Sequence, residues 1–269
     1  MSITPIDAIG SIYNEVVLSK KYAALCEPLI MRICREEYPK YKKDKDRIKS
    51  IKNKLHIIYG AFQSGETHKK AASIIEGLDN SIIHLKEASA DIMRLHTSSN
   101  ERVDSLDKFY GFIFDTIGHS QIRSILDIGC GFNPFSLDFM PADIVEYHAY
   151  DIDYRTIELL NRYFKLRGLP SLAATADIIS ETPQDIADAA FVFKLMPVIE
   201  IQSPGRGFAL LRELNTRYIV VTYPIKSLCG KNKGMEINYA QTFECGSSED
   251  FEIIAQSIIG DELVYIIRK

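Results

Sequence analysis

Hydrophobic positions between residues 122 and 223 form short apolar runs that alternate with stretches of helical periodicity. The runs at 122–128, 187–193 and 218–223 are continuous enough to predict buried parallel strands. Two further runs, 147–151 and 171–176, complete a set of five strands with helices between them. Such alternation predicts a doubly wound α/β sheet.

Beyond this region the pattern changes. The stretches 251–259 and 262–267 flank Gly260 and Asp261, which predicts a terminal β-hairpin. Between residues 98 and 114, Ser98 and Glu101 have the spacing of a capping box, and an apolar stripe predicts a helix that continues to 114.

The first 98 residues show helical periodicity and little that resembles a strand. Apolar residues recur every three or four positions at 48, 51, 55 and 58, and again at 82, 85, 88, 92 and 95. Pro28 and Pro39 mark breaks between short helices. We therefore predict an N-terminal all-α domain over 1–98 and an α/β domain over 99–269.

Charge separates the same two parts of the chain. Residues 1–98 hold 16 Lys and Arg against 12 Asp and Glu, whereas the remainder holds 16 against 24, for an overall net charge of −4. The basic charge is concentrated in residues 38–54, which predicts either a solvated helix face or a surface for a polyanion such as RNA. The candidate RNA-contacting residues of this run are Lys40, Lys42, Lys43, Arg47 and Lys54.

A glycine loop follows the first strand and carries the candidate chemistry. Asp127 is predicted to end the strand, Gly129 and Gly131 form a loop after it, and Pro134 suits the first turn of a following helix. A dinucleotide loop would have a third glycine at the position of Pro134, which disfavours an NAD-linked oxidoreductase, the alternative enzyme class. A carboxylate at a strand end repels phosphate and suits an ammonium group, so Asp127 favours S-adenosylmethionine.

Acidic residues also end the next two strands. Asp151 lies twenty residues after Gly131, in position to accept hydrogen bonds from ribose hydroxyls, and Asp177 with Ile178 follows the third strand. A tight turn at the glycines and a helix cap at Asp151 is the purely structural alternative. Together the features predict a Rossmann-like class I methyltransferase, with a seven-stranded sheet and a C-terminal hairpin.

Composition limits the expected cellular location and the kinds of site in the protein. The sequence has no apolar run long enough for a membrane span and no signal-peptide pattern, so we expect a cytoplasmic protein. Its five cysteines include no C-x-x-C pair, so neither a metal site nor a disulfide framework is expected. Residues 224–236 carry three lysines and two glycines after the fifth strand, which predicts a substrate-facing loop or a flexible surface loop.

Six segments, taken together, resemble a known family. They are 55–62, 96–102, 126–134, 193–197, 223–228 and 234–239. In order and content they resemble the aminoglycoside-resistance 16S rRNA (guanine-N7) methyltransferases, over almost the whole chain. Tyr223 departs from this pattern, since relatives mostly have Phe there; the aromatic ring is kept.

The resemblance implies methylation of N7 of guanine 1405 in the A site of 16S rRNA, within the assembled 30S subunit. It implies S-adenosylmethionine as cofactor, S-adenosylhomocysteine as product, resistance to 4,6-disubstituted deoxystreptamine aminoglycosides and a helical domain that docks on the ribosome. A monomer is expected. The cofactor contacts that it implies, with the glycine-loop residues already named, are Phe62, His96, Thr97, Ser98, Arg102, Asp127, Gly129, Gly131, Asp151, Asp177, Ile178, Phe193 and Gln202.

Guanine N7 is unprotonated at neutral pH, so the reaction needs positioning rather than a general base. Lys194, after the fourth strand, is our candidate for holding a flipped base, and pairing with a helix end is its structural alternative. Further candidate rRNA contacts are Lys226, Ser227, Lys231, Lys233, Met235, Glu236 and Asn238. A ribosome-binding protein without catalytic activity is the remaining alternative.

Overall fold

A computed structural model describes residues 5–59, 65–78, 85–225, 235–247 and 250–269. The helices are α1 Pro5–Val17, α2 Glu27–Glu37, α3 Asp44–Tyr59, α4 Gly65–Gly77, α5 Leu85–Arg94, α6 Thr97–Val103, α7 Leu106–Ile117, α8 Tyr154–Leu166, α9 Met196–Gln202, α10 Arg206–Glu213 and α11 Met235–Ser247. The strands are β1 Ser124–Ile128, β2 Glu146–Asp151, β3 Ala173–Thr175, β4 Ile186–Phe193, β5 Asn215–Pro224, β6 Glu252–Ile259 and β7 Glu262–Arg268.

The strands form one seven-stranded sheet in the order β3-β2-β1-β4-β5-β7-β6. The first five strands are parallel, and β7 pairs antiparallel with both β5 and β6. This arrangement confirms the predicted methyltransferase-type α/β fold with its C-terminal hairpin. The order reverses beside β1, where β2 lies on one side and β4 on the other, and such a point is where open α/β sheets bind ligands.

Apolar side chains cover both faces of the sheet. Ile125 of β1 packs with α5, α7 and α8 on one face, whereas Leu126 and Ile128 pack with α9, α10 and α11 on the other. Both sets are fully buried, which explains why β1 and β4 read as continuous apolar runs in the sequence.

Helices α1, α2 and α3 have a hydrophobic core of their own, built around Leu29, Ile33, Ile51 and Leu55. We call residues 5–59 the helical module. Helices α4 and α5 pack instead in the core of the sheet, through residues such as Ala71 and Ile92. The domain division at residue 98 remains a prediction, whereas the separate helical core ends at α3.

Backbone contacts join the helical module to the sheet at the junction of β2 and α8. The amide of Cys26 donates to the carbonyl of Ile152 at 2.8 Å, and the amide of Tyr154 donates to the carbonyl of Ala24 at 2.8 Å. These bonds fix the start of α2 next to the end of β2, so that α2 lies beside the carboxyl edge of the sheet.

Three local predictions were wrong in detail. The third strand covers only Ala173–Thr175, shorter than predicted. A 3-10 helix, Asn133–Phe139, follows the glycine loop where the sequence predicted a helix from Pro134. Strand β1 continues to Ile128, so Asp127 lies within it and does not end it. Within the described ranges, no helix combines the length and apolar character needed to span a membrane.

Candidate cofactor site

A pocket opens at the carboxyl ends of β1, β2, β3 and β4, against α2, α3 and α6. Its volume is about 1060 Å³, including the mouth that is open to solvent. Most of the predicted cofactor residues line it, and Lys194 lies in its wall; the predicted residues in the lining are His96, Ser98, Arg102, Gly129, Gly131, Asp151, Asp177, Ile178, Phe193 and Gln202.

Two of the predicted cofactor residues that the structure describes, Thr97 and Asp127, are not in the lining. Phe62 lies outside the described residues. Thr97 is exposed, at the start of α6, and lies outside the pocket lining. Asp127 is buried behind the pocket wall.

The glycine loop has a conformation that side chains disfavour. Gly129 and Gly131 have φ angles of +64° and +50°. A Cβ added to Gly129 would lie 2.9 Å from the methyl carbons of Leu195, which also lines the pocket. The loop is tied to β2, because the amide of Gly131 donates to Oδ2 of Asp151 at 2.9 Å. These two glycines therefore allow backbone to approach a ligand beside Asp151.

The carboxylate of Asp151 faces the pocket and does not cap α8. Its Oδ1 accepts from the amide of Asp153 at 3.0 Å, and Asp153 itself caps α8 by accepting from the amide of Arg155. Burial raises the pKa of Asp151 to about 6, although hydrogen bonds from the amides of Asp153 and Gly131 oppose that shift. The purely structural alternative for Asp151 as a helix cap is thus excluded.

Asp127 contacts one residue of the pocket lining, Asn133. It accepts hydrogen bonds from the side-chain amide of Asn133 at 2.9 Å and from the hydroxyl of Tyr147 at 2.7 Å. Burial raises its pKa to about 6, against the lowering effect of these two bonds. Asn133 lines the pocket and accepts a hydrogen bond from Arg102 at 2.7 Å. A direct bond from Asp127 to a ligand remains a prediction.

Two cations of the pocket wall, Arg102 and Lys194, share one buried carboxylate, Glu262. Arg102 donates to both oxygens of Glu262, at 3.0 and 2.7 Å, and its guanidinium lies over the rings of Phe109 and Phe193. The ammonium of Lys194 lies 3.3 Å from Glu262 and donates to Glu101 at 2.5 Å. Burial would raise the pKa of Glu262, but the charges of Arg102 and Lys194 lower it overall. Both cations are therefore held in place.

The capping box predicted from Ser98 and Glu101 is wrong. Helix α6 begins at Thr97, so Ser98 lies inside its first turn and His96 takes the cap position. Glu101 bonds to Lys194 instead, which also donates to the carbonyl of Ser98 at 3.0 Å. In this structure the ammonium of Lys194 is thus bound to α6, the structural alternative named for it above. Lys194 also has a φ of +54°, a conformation rare for residues other than glycine.

His96 has a buried ring nitrogen. The ring is only 5% exposed and packs on Phe132 with centroids 5.1 Å apart. Among the described residues, Nδ1 of His96 has no hydrogen-bond partner. Burial lowers its pKa to about 4, with smaller contributions from the charges of His68 and Lys194. The imidazole is therefore neutral at neutral pH and faces the pocket.

Sequence reasoning missed Arg32, Asn133 and Glu262. Arg32 of α2 binds Asp177 and Gln202 at the β3 side of the pocket, and Glu262 is the first residue of β7. Arg32 and Glu262 bind partners more than a hundred residues away in the chain. Asn133 lies within the glycine-loop motif itself and binds Asp127, six residues before it. A carboxylate directly after a predicted hairpin turn was the one available signal for Glu262.

The candidate rRNA residues are only partly free. Lys40 and Lys54 bind Glu37, Lys54 also binds Glu36, and Arg47 binds Asp44 while packing over Tyr38. Lys42 and Lys43 are exposed and form no ion pair within the described ranges. Glu236 and Asn238 are exposed on α11, which begins at Met235. Lys226, Ser227, Lys231 and Lys233, and most of the predicted substrate-facing loop, lie outside the described residues.

Comparisons with known proteins agree with this geometry. The family model described as Ribosomal RNA methyltransferase (FmrO) matches residues 18–266. A protein of Serratia marcescens named 16S rRNA (guanine(1405)-N(7))-methyltransferase is 35% identical over 261 residues, covering 97% of this chain and 98% of that protein. A protein of Micromonospora rosea with the same name is 31% identical over 271 residues, covering 98% and 97%.

Solved structures show the same similarity. The 16S rRNA methyltransferase RmtF, solved in complex with S-adenosyl-L-homocysteine, superposes with a TM-score of 0.86 at 30% identity, covering 97% of this chain and 98% of RmtF. The 16S rRNA methylase RmtB gives a TM-score of 0.83 at 30% identity and covers 100% of both chains. The predictions of the family, the fold and the cofactor class are thereby confirmed.

Proposed function

Because this chain belongs to the ribosomal RNA methyltransferase (FmrO) family, we propose that it transfers the methyl group of S-adenosylmethionine to N7 of guanine 1405 in 16S rRNA. The site specificity follows the names of relatives from Serratia marcescens and Micromonospora rosea. The observation that carries the proposal is the pocket itself, whose lining combines a glycine loop, carboxylates after successive strands, and the cations Arg102 and Lys194.

The residues present fit this cofactor. Asp151 ends β2 and offers carboxylate oxygens to ribose hydroxyls, while Asp177 lies beyond the end of β3 for the base. Gly129 and Gly131 have no Cβ, so their backbone can lie close to a ligand, and a Cβ at Gly129 would lie 2.9 Å from Leu195 in the pocket wall. Arg102 lies at the end where a ligand carboxylate would be held. When bound, S-adenosylmethionine supplies an electrophilic methyl group on sulfur.

The chain's own residues then act by positioning. Guanine presents O6 and N7 as acceptors on one edge, and N7 carries an in-plane lone pair, so no general base is required. Lys194 would donate to O6 and orient N7 toward the cofactor. The partner that Lys194 can release is Glu101, whose side chain is 37% exposed, whereas Glu262 is 3% exposed and stays bound to Arg102. The unusual φ of Lys194 aims its side chain into this corner.

Docking is the second part of the proposal. The basic residues of the N-terminal region, proposed as a domain over 1–98, would bind rRNA phosphates in the assembled 30S subunit. Unstacking of the target guanine into the pocket costs a few kcal/mol, which these contacts would offset. Methylation of that guanine would then block 4,6-disubstituted deoxystreptamine aminoglycosides.

The test is methylation of 30S subunits by the purified protein with tritiated S-adenosylmethionine, followed by primer extension along 16S rRNA. We expect label in 30S subunits, little in naked 16S rRNA, and one new stop at guanine 1405. Bacteria expressing the gene should grow in gentamicin. Labelling of another nucleotide would overturn the site specificity, and equal labelling of naked rRNA would overturn the docking role.

Lys194→Met separates catalysis from binding in the same assay. We expect it to bind S-adenosylhomocysteine and 30S subunits but to methylate at least about a hundredfold more slowly. A ribosome-binding protein without catalytic activity would instead label no subunits with either form while still binding them.

A further inference from the structure

Arg32 lies between the helical module and the β3 side of the pocket. It is one turn after Leu29 on α2, and Leu29 lines the pocket. The guanidinium donates to both oxygens of Asp177, from Nε to Oδ2 at 2.6 Å and from Nη2 to Oδ1 at 3.2 Å. The same Nη2 donates to Oε1 of Gln202 at 2.8 Å. One side chain thus binds two residues of the pocket wall.

These bonds fix how Asp177 and Gln202 face the pocket. The carboxylate of Asp177 also accepts from the hydroxyl of Ser180 at 2.6 Å, on Oδ2. Among the described residues, these bonds leave one of the four lone-pair directions of the carboxylate, on Oδ1, which can accept from an N–H donor such as an adenine amino group. The amide of Gln202 is oriented in the same way, because its Nε2 donates to the carbonyl of Val198 at 3.1 Å.

The geometry of this ion pair is that of a buried, bidentate contact. The side chains of Arg32 and Asp177 are 12% and 3% exposed. Burial alone would lower the pKa of Arg32, but its bonds to Asp177 and Glu36 raise it overall, so the guanidinium stays charged. Removal of one partner would leave the other charge buried and uncompensated. Lys cannot reproduce the two-pronged contact.

The order of the strands indicates which end of a ligand Arg32 affects. Asp127, Asp151 and Asp177 belong to neighbouring positions along the order β1-β2-β3, with Arg102 on the β1 side. If the ribose lies at Asp151, the base lies at Asp177, farthest from Arg102. Arg32 therefore acts on the nucleoside base and not on the amino-acid arm.

We propose that Arg32 is a positioning residue that sets Asp177 and Gln202 for the adenine base, and so makes the helical module part of the cofactor site. This inference rests on the proposed function, since it assumes that the pocket takes S-adenosylmethionine. It adds to that function a dependence of cofactor affinity on a residue of α2, 145 positions before its partner Asp177.

The experiment is isothermal titration of S-adenosylhomocysteine into the full-length protein and its variants. Arg32→Met should raise the Kd at least about tenfold, because Asp177 loses its orienting partner. Arg32→Lys should give a Kd between those of the unchanged protein and Arg32→Met, since an ammonium makes only one of the two bonds to Asp177. Arg35→Met is the matched control, an exposed arginine of the same helix, and should stay within about twofold of the unchanged protein.

Further measurements distinguish positioning from a general loss of structure. The affinity for 5′-methylthioadenosine should fall by the same factor as that for S-adenosylhomocysteine, because both carry the base. In the methylation assay, KM for S-adenosylmethionine should rise while kcat at saturation stays within about twofold. An Asp177→Asn background removes the buried carboxylate that Arg32→Met would leave unpaired. In that background, adding Arg32→Met should raise the Kd by a smaller factor than in the unchanged protein, because only the bond to Gln202 remains to be lost.

The results also separate this inference from the proposed function. Failure of the unchanged protein to bind S-adenosylhomocysteine would sink the proposed function. Unchanged affinity in Arg32→Met, or a loss for S-adenosylhomocysteine without a loss for 5′-methylthioadenosine, would overturn the role of Arg32 alone.

Discussion

Three buried carboxyl groups in or behind the pocket wall differ in the direction in which their pKa is shifted. Burial raises the pKa of Asp127 and of Asp151 to about 6, because neither has a cation in direct contact. Glu262 is equally buried, but Arg102 and Lys194 more than compensate for the burial and lower its pKa. The first pair can therefore lose its charge under mildly acidic conditions, whereas Glu262 keeps its charge.

Cofactor affinity should fall as pH falls through about 6. Ribose hydroxyls donate to the ionised form of Asp151, so at lower pH a proton must be lost on binding. Above pH 7 the Kd for S-adenosylhomocysteine should be flat, and below pH 6 it should rise about tenfold per pH unit. Titration calorimetry between pH 5 and 8 measures this. Asp151→Asn should bind weakly with a shallower pH dependence, and an equally steep profile in that variant would contradict the assignment.

Loss of the buried carboxylate of Glu262 should destabilise the protein. Glu262→Gln leaves Arg102 with no anionic partner in a buried site, which costs about 3 kcal/mol. For a chain of this size we expect Tm to fall by roughly 6–12 °C in a thermal scan. Glu252→Gln in the same hairpin is the control, because its ion pair with Arg268 is exposed, and Tm should stay within about 2 °C. Equal falls in Tm for Glu262→Gln and Glu252→Gln would show that the buried ion pair stabilises the protein no more than the exposed one.

At the scale of elements, local patterns were enough to predict the sheet and not enough to predict the contacts between elements. The apolar runs of β1, β4 and β5 are visible in the sequence because strands covered on both faces must be apolar throughout. The start of α6 was misplaced because Glu101 matches a capping box locally, yet bonds to Lys194 from another strand end. At the start of α6, the tertiary contact between Glu101 and Lys194 replaces the local capping interaction that the sequence predicted.

The residues of the candidate site likewise divide into those that the sequence predicted and those that it did not. Asp151, Asp177 and the two glycines were predictable because each follows a strand, and parallel strands end at one edge. Arg32 and Glu262 were not, since their partners are 145 and 160 residues away and no periodicity links them. Asp127 appeared to be a direct ligand contact, whereas in the structure Asn133 lies between it and the pocket. Sequence spacing predicts which residues lie at the carboxyl edge of the sheet, but not which of their side chains line the pocket.

Alanine substitutions in the glycine loop should affect binding in a defined order. Each of Gly129, Gly131 and Gly168 has a positive φ, so alanine costs about 1–2 kcal/mol of stability at all three. Gly129→Ala should weaken S-adenosylhomocysteine binding most, because the new Cβ forces Leu195 to move in the pocket. Gly131→Ala should be milder, since its Cβ would lie 3.5 Å from His96. Calorimetry should show no change for Gly168→Ala; a weaker Kd there would mean that backbone strain alone accounts for the effect.

At the scale of the whole molecule, the helical module uses its charges in two ways. Some of its basic residues form ion pairs with acidic residues of the same module. Lys40 and Lys54, for example, both pair with Glu37. Burial would raise its pKa, but hydrogen bonds from Lys40, Lys54 and Ser50 lower it to about 2. These lysines are therefore already engaged. Lys42 and Lys43, by contrast, are exposed between Tyr41 and Asp44 with no ion pair within the described residues.

This difference predicts which lysines give subunit binding its salt dependence. Lys42→Gln with Lys43→Gln should weaken binding of 30S subunits and reduce the slope of log K against log salt by about 1–2, since two phosphate contacts are lost. Lys108→Gln with Lys165→Gln is the matched control, because these exposed lysines of α7 and α8 change the net charge equally but lie on the helices over the sheet. Filter binding at several salt concentrations measures both slopes. The Kd for S-adenosylhomocysteine should be unchanged in both variants, and equal slopes would mean that overall charge, and not the basic surface of the helical module, attracts the subunit.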